Sequence, residues 1–304
     1  MGVDETAKAG KKPQYPFNHH FLFMKNPPVL RHIVNLWTLW DYPTAKKPWS
    51  LERQLVAIKE AGFDGFTGNL RPGFRELSEK LGLIYAGYFS SSKPSEFRSL
   101  IQANIDAGAK NINVQLADHD TPVEVATKMA IKVMEEGEKL GIRCSIEVHR
   151  DTCTETPEKA YGIAAGFKKA TGRLLPMTWD FSHISVVKHL APPFSERLLV
   201  DAKLVQHAEI IHFRPFNGHH CQVPVTDEHG KLSAEVKDWI PFMEDTLALW
   251  LKGKQAGREL FVVPEMGPVR GGYNLAQLPN SWEDAKVLHP IIAKAWKKAV
   301  AAQK

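Results

Sequence analysis

Six times along this chain a helical pattern of apolar residues runs into a glycine, and a short β-branched or aromatic run follows. The pairs are Ala61-Gly62, Leu81-Gly82, Ala107-Gly108, Leu140-Gly141, Thr171-Gly172 and Ala256-Gly257. Glycine closes a helix there because it enters the left-handed conformation with no Cβ to clash. The runs that read as strands are 32–40, 64–69, 83–90, 111–117, 143–149, 174–181, 209–213 and 260–265. Between them apolar residues recur at spacings of three and four: Leu51, Leu55, Ile58; Phe97, Leu100, Ile101, Ile105; Trp239, Phe242, Met243, Leu247, Trp250; Ala285, Leu288, Ile292. Strict βα alternation builds either an open doubly wound sheet or a closed barrel. Strand starts about 32 residues apart suit a (β/α)8 barrel of roughly 250 residues. No GxGxxG or GxxxxGKS follows the first strand, so the nucleotide-binding sheet loses its main support. The expectation is an α/β TIM barrel over 31–304, preceded by an N-terminal arm, 1–30, in which residues 17–23 would cover the barrel's lower end.

Composition narrows the function classes. The 304 residues are 43% hydrophobic and 24% charged, as in soluble globular proteins. No apolar run nears the roughly 18 residues of a membrane helix, which argues against a membrane partner. Thirty-nine Lys and Arg against 34 Asp and Glu leave +5, spread along the chain, short of a nucleic-acid footprint. Three cysteines with no CxxC fit a reducing compartment. The first 28 residues contain no apolar signal core, so a cytoplasmic location is expected, with an already removed signal peptide left open.

A barrel places its chemistry at the carboxyl ends of its strands. Four successive strands end in Glu147, Asp180, His212 and Glu265, each after a mostly apolar run. Any one of these alone reads as an ordinary strand-end polar group or a helix cap. Together they are three carboxylates and an imidazole at one mouth, and three close carboxylates cannot all stay ionised without a cation. One divalent metal resolves the conflict. The donor set suits Mn²⁺ first, with Mg²⁺, Co²⁺ or Zn²⁺ as alternatives. His149 shares strand parity with Glu147, and Trp37 and Trp40 offer an aromatic floor for a sugar ring. Gln115 is the inward candidate in the first half of the barrel, which is otherwise poor in strong ligands. Cys153 and Cys221 fall in loops without a base motif beside them.

These residues resemble the xylose-isomerase-like barrels, which include sugar isomerases, ketose 3-epimerases and hydroxypyruvate isomerases, with endonuclease IV as a relative. Glu147-Val-His-Arg, Asp180-Phe-Ser-His183, His212-Phe-Arg214 and Pro264-Glu-Met-Gly-Pro look most like a branch known only as sugar phosphate isomerase/epimerase. The resemblance covers about residues 31–300. It implies that Glu147, Asp180, His212 and Glu265 hold the metal. It further implies that Glu147 and Glu265 move protons, and that His183 contacts substrate. His149, Arg214, Trp37 and Gln222 are the expected substrate-binding residues, and a small carbohydrate the expected partner, with a homo-oligomer as a further option. One departure stands out: the ketose epimerases carry a substrate-binding Arg six residues beyond the metal His, where this chain has Gly218. The long loop 216–232, with His219, His220, Cys221, Asp227 and His229, has no counterpart that identifies a substrate.

The implied reaction is isomerisation or epimerisation by proton transfer beside a carbonyl. The same apparatus can expel a group β to the carbonyl, as a lyase on a 3-keto-glycoside. Two further readings stand behind these. A barrel that merely binds sugar has little reason to keep two carboxylates beside a metal. An endonuclease IV-like phosphodiesterase has Asp227-Glu-His229 in its favour. It needs metal-binding His on the second and third strands, where this chain reads Thr67-Gly-Asn69 and Phe89-Ser-Ser91.

Overall fold

Strands covered on both faces show no polar alternation, and the runs Gly65–Thr67, Cys144–Glu147, Met177–Trp179 and Ile210–His212 are buried at every position. Their environment is a closed barrel. The computed structural model describes residues 26–303 except 254, 274, 276 and 277. Eight parallel strands pair in sequence: β1 (Val29–Asn35), β2 (Gly65–Thr67), β3 (Ile84–Ser91), β4 (Ala109–Leu116), β5 (Cys144–Glu147), β6 (Met177–Trp179), β7 (Ile210–His212) and β8 (Glu259–Val263). β8 returns to β1 with Arg31 opposite Phe261, which completes the ring.

All six helix-closing glycines lie in the left-handed region, with φ between 64° and 89°. Five lie within two residues of their helix ends, whereas Gly257 sits in a turn beyond the helix that ends at Leu251. The predicted helical faces are the ones that pack on the barrel: Leu55, Ile58, Phe97, Ile101, Trp239, Phe242, Met243, Leu247, Trp250, Ala285, Leu288 and Ile292 are all buried.

Two strands differ most from expectation. β1 stops at Asn35, because its side-chain Oδ1 accepts the Trp37 N–H at 3.0 Å and starts a 3₁₀ turn, Leu36–Leu39. Trp37 and Trp40 therefore stand on that turn above the mouth instead of in the strand. The sixth strand starts at Met177, since Pro176 before it has no N–H for the ladder. The N-terminal arm, residues 17–23 included, lies outside the described residues.

Parity inside the barrel positions the site. Side chains two apart on a strand point the same way. Ile33, Ala86, Ile210, Phe261 and Val263 form an apolar plug inside the barrel, apart from the core between barrel and helices. Full burial of side chains like these contributes about 1.5–3 kcal/mol each. Two residues further along the same strands come Asn35, Tyr88, His212 and Glu265. The Ser145 and Thr178 hydroxyls meet at 2.7 Å, and two residues beyond them come Glu147 and Asp180. An inert lower layer thus carries a polar upper layer at the mouth. No helix of the described residues is long and apolar enough to cross a membrane.

Candidate metal centre

Glu147 and His212 are the last residues of β5 and β7, Asp180 follows β6 directly, and Glu265 lies two residues past β8. One ligand atom from each of the four lies within 4.8 Å of the others. All four are buried, Asp180 completely. Among the described residues this is the only such cluster. The exposed turn that holds Asp227 and His229, where the His229 side chain is 72% accessible, takes no part in it.

Each member of the cluster stands at the end of its strand or within two residues of it. Asp180 caps the helix Phe181–Val187 with one oxygen: Oδ1 accepts the Ser182 N–H at 3.0 Å. Its other oxygen, Oδ2, faces the cluster and accepts from Arg214 Nη2. Asp180 is therefore both helix cap and candidate ligand. Glu147 and Glu265 are also split by task. Asn113 Nδ2 donates to Glu147 Oε2 and Asn35 Nδ2 donates to Glu265 Oε1, both at 2.8 Å. The remaining oxygens, Glu147 Oε1 and Glu265 Oε2, lie 3.3 and 3.1 Å from His212 Nδ1.

Whether a cation fits is decided by what is left unpaired. Glu147 Oε1 and His212 Nδ1 are buried and make no hydrogen bond. Buried polar atoms of that kind cost on the order of 1–3 kcal/mol each when nothing meets them. Both point into the space shared with Asp180 Oδ2 and Glu265 Oε2. Three carboxylate oxygens and one imidazole nitrogen suit a hard or borderline divalent cation. The residues fit the metal.

The protonation pattern follows from the neighbours. Burial opposes ionisation of every carboxylate here. At Asp180 the Arg214 guanidinium, with His212, overcomes burial and holds the acid well below its ordinary value. At Glu265 burial is overcome by His212 and Arg214, which bring it down to about 2. Glu147 has His212 and His149 but no guanidinium, so burial prevails and its pKa rises. Burial would lower His212, but Glu265 and Glu147 raise it well above normal.

A cavity of about 300 Å³ opens over the cluster. Its wall includes Glu147, His212, Glu265 and the expected substrate residues Trp37, His149 and Arg214. Arg214 is buried and committed inward, bonded to Asp180, to the Tyr273 hydroxyl and, at 3.2 Å, to Glu265 Oε2. It is a partner of the ligands more than a free substrate clamp. Trp37 stands against Gly267, where a Cβ would come within 2.4 Å of the indole.

Two expected contacts are not found on the cavity wall. His183 is 2% exposed, lies 3.4 Å from Asp180 Oδ2, and is covered by the His149 ring at 4.6 Å. Burial lowers its pKa to about 3, so it is a neutral imidazole. Gln222 is tied to the Gly267 backbone through both ends of its amide, 2.9 Å to O and 2.6 Å from N–H, and so holds the loop. Gly218 also has a physical explanation: a Cβ there would lie 2.3 Å from Leu190 O, so no arginine fits that place.

The wall also contains Arg150, from the Glu147-Val-His-Arg run, and residues that the sequence does not mark: Asn35, Asn113, Tyr88, Tyr273 and Arg71. Tyr88 OH donates to Gln115 Oε1 at 2.7 Å. Strand parity could have found Asn35, Tyr88 and Asn113, since each shares a face with a plug residue or a neighbour's ligand. Tyr273 arrives from a distant loop and had no signal.

No protein-family model matches the chain, and no curated protein does either. Solved structures match over most of its length. A D-tagatose 3-epimerase-like protein shares 16% identity at a TM-score of 0.56, covering 88% of this chain and 99% of its own. A xylose isomerase-like TIM barrel protein from Mycobacterium smegmatis, in complex with magnesium, shares 16% at 0.51, covering 90% and 98%. The D-allulose 3-epimerase from Methylomonas sp., in complex with D-allulose, shares 11% at 0.54, covering 90% and 96%. Likeness at this identity speaks to architecture, and the architecture shared with these proteins is the (β/α)8 barrel.

Proposed function

We propose that this chain is a divalent-metal-dependent enzyme that moves a proton beside the carbonyl of a carbohydrate, as a sugar isomerase or epimerase. The observation that carries the reading is the buried Glu147, Asp180, His212 and Glu265 cluster, with two unpaired donor atoms, at the floor of an open cavity. Mn²⁺ is the proposed ion, on the strength of the three-oxygen, one-nitrogen set. The D-allulose and magnesium complexes named for two structural relatives agree with a sugar ligand and a divalent ion.

The bound ion would polarise adjacent carbonyl and hydroxyl oxygens of a sugar and so lower the cost of losing the proton between them. The residues do the rest. Glu147 and Glu265 come from the two ends of the arc β5–β8, so one carboxylate can take a proton that the other returns to the second face or neighbouring carbon. Asn113 and Asn35 hold the carboxylate oxygens that do not face His212, which fixes both groups for that exchange. Arg214 keeps Asp180 ionised. His183, behind His149, steadies Asp180 and acts as a positioning residue. Trp37 and Tyr273 wall the cavity with rings suited to the C–H face of a sugar.

The test is turnover of a ketose panel by Mn²⁺-loaded protein in D₂O, followed by NMR. Deuterium at the carbon beside the carbonyl is expected. Turnover with no deuterium at that carbon overturns the proton-transfer reading in favour of a hydride shift. Release of a β-substituent would make the protein a lyase.

A further inference from the structure

Charge at the cavity does not balance once the metal site is filled. Asp180, Glu147 and Glu265 supply three negative charges, and Arg214, buried against two of them, supplies one positive. A divalent ion held by a neutral His212 brings that inner group to zero. Among the described residues the cavity wall contains two more cations, Arg71 and Arg150, and no other acid. Among the described residues neither guanidinium makes an ion pair, whereas the wall's third arginine makes two.

Arg150 sits on a built support. Arg150 lies over the Tyr273 ring at 5.5 Å from its centroid, which leaves the guanidinium edge free for a ligand. Its loop is fastened to the end of β5. Thr154 Oγ1 donates to Glu147 O at 2.5 Å, Thr152 Oγ1 donates to His149 O at 2.8 Å, and the His149 N–H reaches Thr154 Oγ1 at 3.2 Å. Asp151, directly after Arg150, adopts φ 58°, an uncommon backbone state for a residue with a side chain. Arg71 follows β2 from the first half of the barrel and meets the same cavity.

We infer that the substrate is an acidic carbohydrate: its carbonyl end lies over the metal cluster and a carboxylate or phosphate group at the outer end is held by Arg71 and Arg150. This rests on the metal-centred reading above and adds the substrate's charge class. Planar guanidinium forks bind both kinds of anion through paired N–H donors, so the two sources share one chemistry.

Calorimetry on the Mn²⁺-loaded protein tests it without turnover. The probes are two matched pairs, D-glucuronate with D-glucose and D-fructose 6-phosphate with D-fructose. At least one acid is expected to bind about tenfold or more tighter than its neutral partner, and the preference should shrink as NaCl rises. The favoured pair identifies the carboxylate or the phosphate as the recognised group. In the Arg71→Gln, Arg150→Gln double variant the preference should vanish, with Mn²⁺ uptake and circular dichroism unchanged. Equal binding within both pairs overturns the inference. A preference that survives the double variant also overturns it, since the anion would then be binding the metal itself. Failure of Mn²⁺ uptake in wild-type protein, with the acid preference intact, would instead break the metal-centred reading alone.

Discussion

The two halves of this barrel do different work. Strands β5–β8 supply every ionisable group of the cluster, while β1–β4 supply neutral amides and a phenol: Asn35, Tyr88, Asn113 and Gln115. The halves meet at two seams, β8 against β1 and β4 against β5. Glu265 stands at one seam and Glu147 at the other, and each is held at 2.8 Å by an asparagine from the opposite half. Concentrating the charges in one half lets a single cation satisfy them. Placing uncharged donors in the other half orients two carboxylates without adding a competing cation. The poverty of ligands in the first half is thus part of the design of the site.

Breaking the charged half should have the largest effect. Glu147→Gln and Glu265→Gln are each expected to cost about 10²–10⁴ in turnover, the usual range for a lost acid/base group. Inductively coupled plasma analysis alongside would separate lost chemistry from lost metal, because each residue is also a proposed ligand. If both variants keep full activity with metal bound, the assignment of the two glutamates fails.

Breaking the neutral half should cost less. Asn113→Ala and Asn35→Ala are expected to lower metal affinity or turnover by about 10–100-fold, as for other groups that orient metal ligands. The two should lose similar amounts if the seams are equivalent, read from Mn²⁺ titration and kinetics side by side. Wild-type behaviour in both would show that the asparagines are bystanders.

Smaller again is the effect of filling the cluster on stability. An ion that binds only the folded chain stabilises by about 2.7 kcal/mol at a hundredfold excess over its Kd. Mn²⁺ should therefore raise the thermal midpoint of wild type and not of Asp180→Asn, with EDTA reversing the rise. An equal rise in both would place the ion elsewhere.

The last test lies away from the cluster, where the loop before the helix Ala234–Leu251 is anchored. Asp284 is buried and accepts the Val225 N–H at 3.1 Å, and burial pushes its pKa up from 3.8 to about 7. Between those values the unfolded chain has lost the proton that the folded chain retains, so stability falls as pH rises through that window. Asp284→Asn should melt higher than wild type at pH 8 and converge with it below about pH 4, in the sense given by linkage. A constant difference across that range would show that Asp284 does not carry its proton into the folded state.

Much of this was legible in order along the chain. Glu147, Asp180, His212 and Glu265 were readable because each ends an apolar run, and a barrel brings strand ends together whatever their separation in sequence. Asn35 and Asn113 were harder to see. An asparagine near a strand end is as easily a turn former as a ligand holder, and Asn35 is in fact both. A motif and a loop make His183 and Gln222 substrate candidates, and neither signal carries their packing, His183 under His149 and Gln222 on the Gly267 backbone.

Periodicity is a local property, and so the chain alone determined the βα alternation, the helix-closing glycines and the strand-end residues that converge at the mouth. Which oxygen of each glutamate faces the imidazole, where Arg214 spends its charge, and how Arg150 comes to rest on Tyr273 were decided only in three dimensions. Those facts depend on side chains from strands far apart in sequence sharing a few ångströms of dehydrated space. There, burial and neighbouring charge outweigh anything that residue type predicts by itself.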